Sequence, residues 1–115
     1  MTEDDIKMLS DEFFARMRVG DDISADDKER ENMREYILSG VRYLDLIAMG
    51  QKISYVSDEF AKDLLYNWCL YARSDSTEIF KDKWISSLME LQLLARTSRL
   101  ILREAETVEE DTQQS

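Results

Sequence analysis

The residues best equipped for chemistry in this chain are its carboxylates, and their spacing does not assemble a reactive site. Twenty-five Asp and Glu stand against fifteen Lys and Arg, with one Cys and no His. Without His, the usual general base, the usual partner of a catalytic nucleophile and the commonest metal ligand are all missing. One Cys cannot build a cysteine-rich zinc site. Cys69 lies between Trp68 and Leu70 in the most apolar stretch, the setting of a buried, inert thiol. Asp21, Asp22, Asp26 and Asp27 hint at a calcium loop. Counted from Asp22, however, the sixth position is Asp27 where such a loop needs Gly, and the twelfth is Met33 where it needs Glu. The pairs Asp58/Glu59 and Glu78/Asp82 fall in expected first turns of helices, where capping and the helix dipole account for acids. There is no glycine-rich phosphate loop. The expectation is no enzyme, no cofactor and no metal.

The basic residues offer one pattern. Arg96, Arg99 and Arg103, on a helix continued to about Glu104, fall within about 60° of one another. Leu93 and Leu100 border them, opposite the inner face. Two meanings fit: a solvated flank, since bases suit a helix C-terminus, or a protein-docking strip, since Leu beside Arg is common at interfaces. On either meaning, replacing the charges should leave the fold intact. A DNA-recognition helix is not expected, because the net charge is −10 and affinity for phosphate begins with a basic surface.

The elements that must position these residues are helices. The chain has no Pro and only three Gly, whereas sheets need turns that consume both. A first helix is expected over about Glu3 to Arg18, capped by Thr2, with Ile6, Leu9, Phe13 and Met17 inward. Gly20 to Ser24 breaks it. A second runs from about Ala25 to Met49, with Ser24 as N-cap and Gly50 as its left-handed stop. Its inner stripe is Met33, Tyr36, Ile37, Val41, Leu44, Ile47 and Ala48. Gly40 inside that stripe marks either a close helix crossing or a tolerated weak residue. Gln51 to Val56 alternates and reads as an ordered loop whose Ile53 and Tyr55 or Val56 plug the core.

Ser57 should cap a third, central helix that is apolar nearly all round. After the turn Ser74-Asp75-Ser76, a long fourth helix is expected from Thr77 to about Glu104, with Ile79, Phe80, Trp84, Leu88, Leu91 and Ala95 inward. The core should centre on Trp68 and Trp84, with Phe60, Leu64, Phe80 and Leu88 around them. The fold class is therefore all-α: one bundle of about four helices over residues 1–104, then a disordered acidic tail over 105–115.

Charge is unevenly spread. Residues 1–35 carry twelve acids and six bases, residues 36–103 eight and nine, and residues 104–115 five acids and no base. No apolar run reaches the ~20 residues that span a bilayer and no signal-peptide pattern opens the chain, so synthesis and retention in the cytoplasm, without membrane contact, are expected.

The stretch Arg42 to Ala95 resembles the small head–tail connector proteins of tailed bacteriophages, also called head-completion or adaptor proteins. The residues that carry this are Tyr43-Leu44-Asp45 ahead of Gly50, Ala61-Lys62-Asp63-Leu64-Leu65, and Tyr71-Ala72-Arg73. They are followed by Glu78-Ile79-Phe80-Lys81-Asp82-Lys83-Trp84 and Leu88-Met89-Glu90-Leu91-Gln92. Relatives share a Tyr-x-Arg helix end, a short polar turn, a Phe-x-x-x-aromatic pattern and a Leu-x-x-Leu-Gln close. This chain departs at Lys83, where relatives often have Asn, and at Ser87, where they often have an acid. The resemblance implies a helical bundle without catalytic residues that attaches beneath the portal protein after DNA packaging. It would self-associate into a ring around the DNA channel and present a surface to a stopper or tail-completion protein. The protein would be made in the host bacterial cytoplasm and end at the head–tail interface of the virion. A ring needs two different patches on each subunit, and the Arg strip and the acidic first helix have opposite sign. DNA would pass through without sequence-specific contact. The alternative is a small acidic helical regulator that binds a single protein partner.

Overall fold

The structure, a computed structural model, describes residues 1–17 and 26–103. Those residues form five helices and no strand, and 74% of them are helical. The elements are α1 (Glu3–Met17), α2 (Asp27–Ile47), α3 (Glu59–Arg73), α4 (Thr77–Lys83) and α5 (Ile85–Arg96). The all-α expectation holds. The tail over 105–115, the break at Gly20 and the Ser24 cap lie outside the described residues.

Helices α1, α2 and α3 begin where a short polar side chain meets orphan amides, whereas α4 and α5 have no side-chain cap. Thr2 Oγ1 accepts from the Asp5 amide at 3.1 Å. Asp26 opens α2 with a capping box: its carboxylate accepts from the Glu29 amide at 2.8 Å while Glu29 reaches back to the Asp26 amide. The cap of α3 is Asp58, not Ser57. The Ser57 amide is bonded to Ser54 in the preceding turn, whereas Asp58 accepts from the Ala61 amide.

The helix ends share one device. In the Schellman motif, two amides beyond the helix bond back to carbonyls five and three residues earlier, around a residue of positive φ. Met49 (φ 60), Asp75 (φ 53) and Ser98 (φ 57) hold that position. Gly50, Ser76 and Arg99 then donate to the carbonyls of Asp45, Tyr71 and Leu94. Gly50 also has positive φ, but the first left-handed residue is Met49.

The expected long fourth helix is corrected in two ways. It bends at Trp84, whose φ of −104° and ψ of 18° leave the helical region, although the Trp84 and Leu88 amides still bond to Phe80 and Trp84. On either side of this break α4 packs on α3 and α5 packs on α2. Second, the helix ends at Arg96 and the chain folds back. Residues 101–103 run antiparallel to 52–54, with Ser54 N–Ile101 O and Arg103 N–Lys52 O at 2.8 Å each around an Ile53–Leu102 bridge.

The core draws side chains from all five helices. All seven members of the predicted α2 stripe are buried or half-buried, and Ile53 and Tyr55 of the connector are buried. Trp68 stacks on Tyr43 (4.9 Å between ring centres), meets the edge of Phe80 (5.5 Å) and donates to Ser39 Oγ at 3.1 Å. Phe80 is fully buried, while Trp84 stacks on it from the rim and, like Phe60, is only half-buried. The centre is therefore Trp68 with Phe80. Ile79, expected inside, is 50% exposed, because it lies about 100° around the helix from Phe80.

Gly40 is a close crossing. A Cβ there would stand 2.6 Å from Leu65 Cδ1 and 2.7 Å from Trp68 Cδ1. Gly40→Ala is expected to destabilise by about 1–3 kcal/mol through overpacking, despite the gain of about 1 kcal/mol in helix propensity. Chemical denaturation measures the balance, and a more stable variant would mean that α2 and α3 separate there at no cost.

Candidate docking surface

The side chains singled out from sequence divide into two groups. Leu93, Arg96 and Arg99 are exposed; Leu100 is buried at 8% exposure, and the Arg103 side chain is also 8% exposed. The single helical strip of five residues is thus corrected, because α5 stops at Arg96 and the chain beyond it turns inward. Arg103 Nη2 donates to Asp45 Oδ2 and Nη1 to the Ile53 carbonyl, both at 2.8 Å. Asp45 Oδ1 accepts from the Tyr55 hydroxyl (2.8 Å) and the Ile53 amide (3.2 Å). Burial and the nearby Asp45 carboxylate push the Tyr55 phenol well above its ordinary range. Asp58 adds a further tie, accepting from the Ile101 amide at 2.9 Å with the oxygen its cap leaves over. These bonds make residues 99–103 a strap, and Arg103 its clasp.

What remains on α5 is a face that sequence analysis saw only in part. Ile85, Met89, Gln92, Leu93 and Arg96 are all exposed, within about 100° of arc. Met89 is 63% exposed, Ile85 53% and Leu93 50%. Leu88, Leu91 and Ala95 take the inward side, so the helix is apolar on two faces. The recurrence of Ile85, Met89 and Leu93 at four-residue intervals was the available signal. An open groove of about 760 Å³ runs along this face, lined by Met89, Leu93, Arg96 and Arg99 among others. Neither arginine has a carboxylate partner among the described residues.

The opposite electrostatic character lies on α1 and the start of α2. Much of it is engaged within the chain. Glu12 meets Lys62 at 3.2 Å and Arg16 at 2.8 Å, and Arg16 also reaches Asp63, tying α1 to α3. Burial alone would raise the Glu12 carboxyl, but Lys62 and Arg16 outweigh it and hold it below its ordinary value. Asp11 pairs with Lys7 and Arg30, and Glu3 with Arg34. Asp4 and Asp5 have no ionic partner among the described residues.

Cys69 is fully buried, and burial raises its thiol above the ordinary range, so no thiolate forms there near neutral pH. Among the described residues no group of three His, Cys, Asp or Glu is placed to hold a metal ion, and no helix is long and apolar enough to cross a membrane. No protein-family model, curated protein or solved structure matches the chain.

Proposed function

We propose that this chain is a head–tail connector: a structural protein that docks under the portal as a ring around the DNA channel and joins head to tail. The observation that carries this reading is the exposed face of α5, where Ile85, Met89 and Leu93 lie beside Arg96 and Arg99, neither of which has an ionic partner among the described residues. Apolar anchors next to arginine are the composition of a protein interface, and the contiguous exposure of such a stripe marks an interaction site. The face lies at the end of the stretch, Arg42 to Ala95, whose motifs resemble that family. The net charge of −10 suits a protein that lines a DNA passage without adhering to it.

The test is an Arg96→Glu/Arg99→Glu double variant, with Arg103 left in place as part of the fold. Exposed charge changes move stability by no more than ~0.5 kcal/mol, so the variant is expected to melt like the native protein. At an interface, losing one partner of a desolvated pair costs about 2–5 kcal/mol. Portal-bearing heads treated with the variant are therefore expected to leak DNA and to refuse tails, while the native protein seals them. A variant that completes heads normally would defeat this use of the α5 face. A native chain that ignores heads and binds one bacterial protein one to one would favour the regulator instead.

A further inference from the structure

The groove on α5 has a matching ridge elsewhere on the same chain. One exposed stripe of α1 holds Asp4, Met8, Asp11 and Ala15, which fall within about 60° of arc, with exposed Glu3 and Lys7 beside it. Met8, 53% exposed, is the single large apolar residue among them. Asp4 precedes it by one turn, with Asp5 beside it. On α5 the corresponding arc holds Arg96, Gln92, Met89 and Ile85 in the reverse direction. Both stripes cover eleven residue steps, about 16 Å.

We propose that α1 of one copy packs antiparallel along the α5 groove of a second copy. In this register Asp4 faces Arg96, Met8 enters the hole formed by Met89, Gln92, Leu93 and Arg96, and Ala15 lies against Ile85. The charge match uses groups that have no ionic partner among the described residues: Asp4 and Asp5 on one side, Arg96 and Arg99 on the other. The antiparallel direction also sets the positive end of the α1 dipole, with its acids, against the negative end of α5, with its arginines. Asp11 stays at the rim, held by Lys7 and Arg30. The two patches differ, so the contact is head-to-tail. Each joint leaves a free α1 at one end and a free α5 at the other, which adds copies until a ring closes or a filament runs on. This names the subunit joint of the ring proposed above and rests on that reading only for the ring's place in the virion.

Two crippled chains test the joint. One carries Arg96→Glu/Arg99→Glu and keeps α1; the other carries Asp4→Ala/Asp5→Ala/Met8→Ala, which strips α1 of its acids and its apolar anchor without making it a match for the two glutamates, and keeps α5. Each alone is expected to sediment as a monomer, and the mixture as a one-to-one dimer that does not grow, because only one native joint can form. Disulfide trapping keeps the test decisive for a weak joint or a poorly folded variant. Chains with Met8→Cys and Gln92→Cys, mixed and oxidised, are expected to cross-link far more than a Met8→Cys and Glu78→Cys pair, since Cys69 is buried and does not compete. Neither a mixed dimer nor preferential cross-linking would overturn the joint, whether or not heads are completed. Cross-linking by a chain that never attaches to heads would uphold the joint and remove the connector reading.

Discussion

Arg103→Ala is expected to destabilise the protein by about 3 kcal/mol, although a surface arginine in this position would contribute little. Removing one partner of a buried ion pair costs about 3–5 kcal/mol, because the other charge stays buried without compensation. The lower end applies, since Asp45 keeps the Tyr55 hydroxyl and the Ile53 amide. The Ile53 carbonyl also loses its guanidinium donor. For a domain of this size the melting temperature should fall by roughly 10–15 °C. Arg103→Lys should recover only part of the loss, because an ammonium cannot span the carboxylate and the carbonyl as a planar fork does. Thermal melts of the two variants, with Asp45→Asn and the double variant to complete the cycle, measure the coupling. An Arg103→Ala protein that melts like the native one would return Arg103 to solvent and restore the outer strip.

Trp68→Ala is expected to cost about 3–5 kcal/mol, the range for truncating a large buried aromatic. The indole is held by Tyr43, by Phe80 and by Ser39. It also fills the space in front of Gly40, which has no side chain that could relax into the cavity. Trp84→Ala serves as the comparison. Trp84 stacks on one face of Phe80 and is only partly buried, so its loss should cost less, in proportion to the smaller area it buries. Equal costs, measured by denaturant unfolding, would mean that the two tryptophans share the centre after all.

The contrast between these residues shows which parts of the fold the sequence made legible. The inward stripe of α2 could be read because seven apolar residues recur at helical spacing, and the plugging of Ile53 and Tyr55 because a loop with alternating polarity has nowhere else to put them. Helix ends were harder. The usual mark of a Schellman stop is Gly or Asn, but Met49, Asp75 and Ser98 take that position here. Each adopts a conformation that costs an L-residue roughly 1–2 kcal/mol. Without a glycine near position 97, periodicity alone carried the fourth helix on to Glu104, and Arg103 was placed outside when it is within. Two clues pointed the other way. Leu100-Ile101-Leu102 would dress all sides of a terminal helix with apolar groups, and Asp45 is an acid at the edge of an inward stripe that needs a cation. On the candidate docking face the exposure of Leu93, Arg96 and Arg99 is legible in the sequence, while Met89 and Ile85 are hidden behind the inward series on the same helix.

The strap has a consequence for rates as well as for stability. Its bonds join residues far apart in sequence, 58 positions from Asp45 to Arg103 and 43 from Asp58 to Ile101. The α2–α3 and α3–α4 contacts close much shorter loops, and the entropy of loop closure favours forming those first. The strap is therefore expected to dock after the α2–α3–α4 contacts have formed, on the native side of the folding barrier. Interactions absent from the transition state govern how fast the native state is lost, not how fast it is reached. A few kcal/mol held in the strap would then lengthen the lifetime of the folded chain by about two orders of magnitude, which would suit the connector role proposed above.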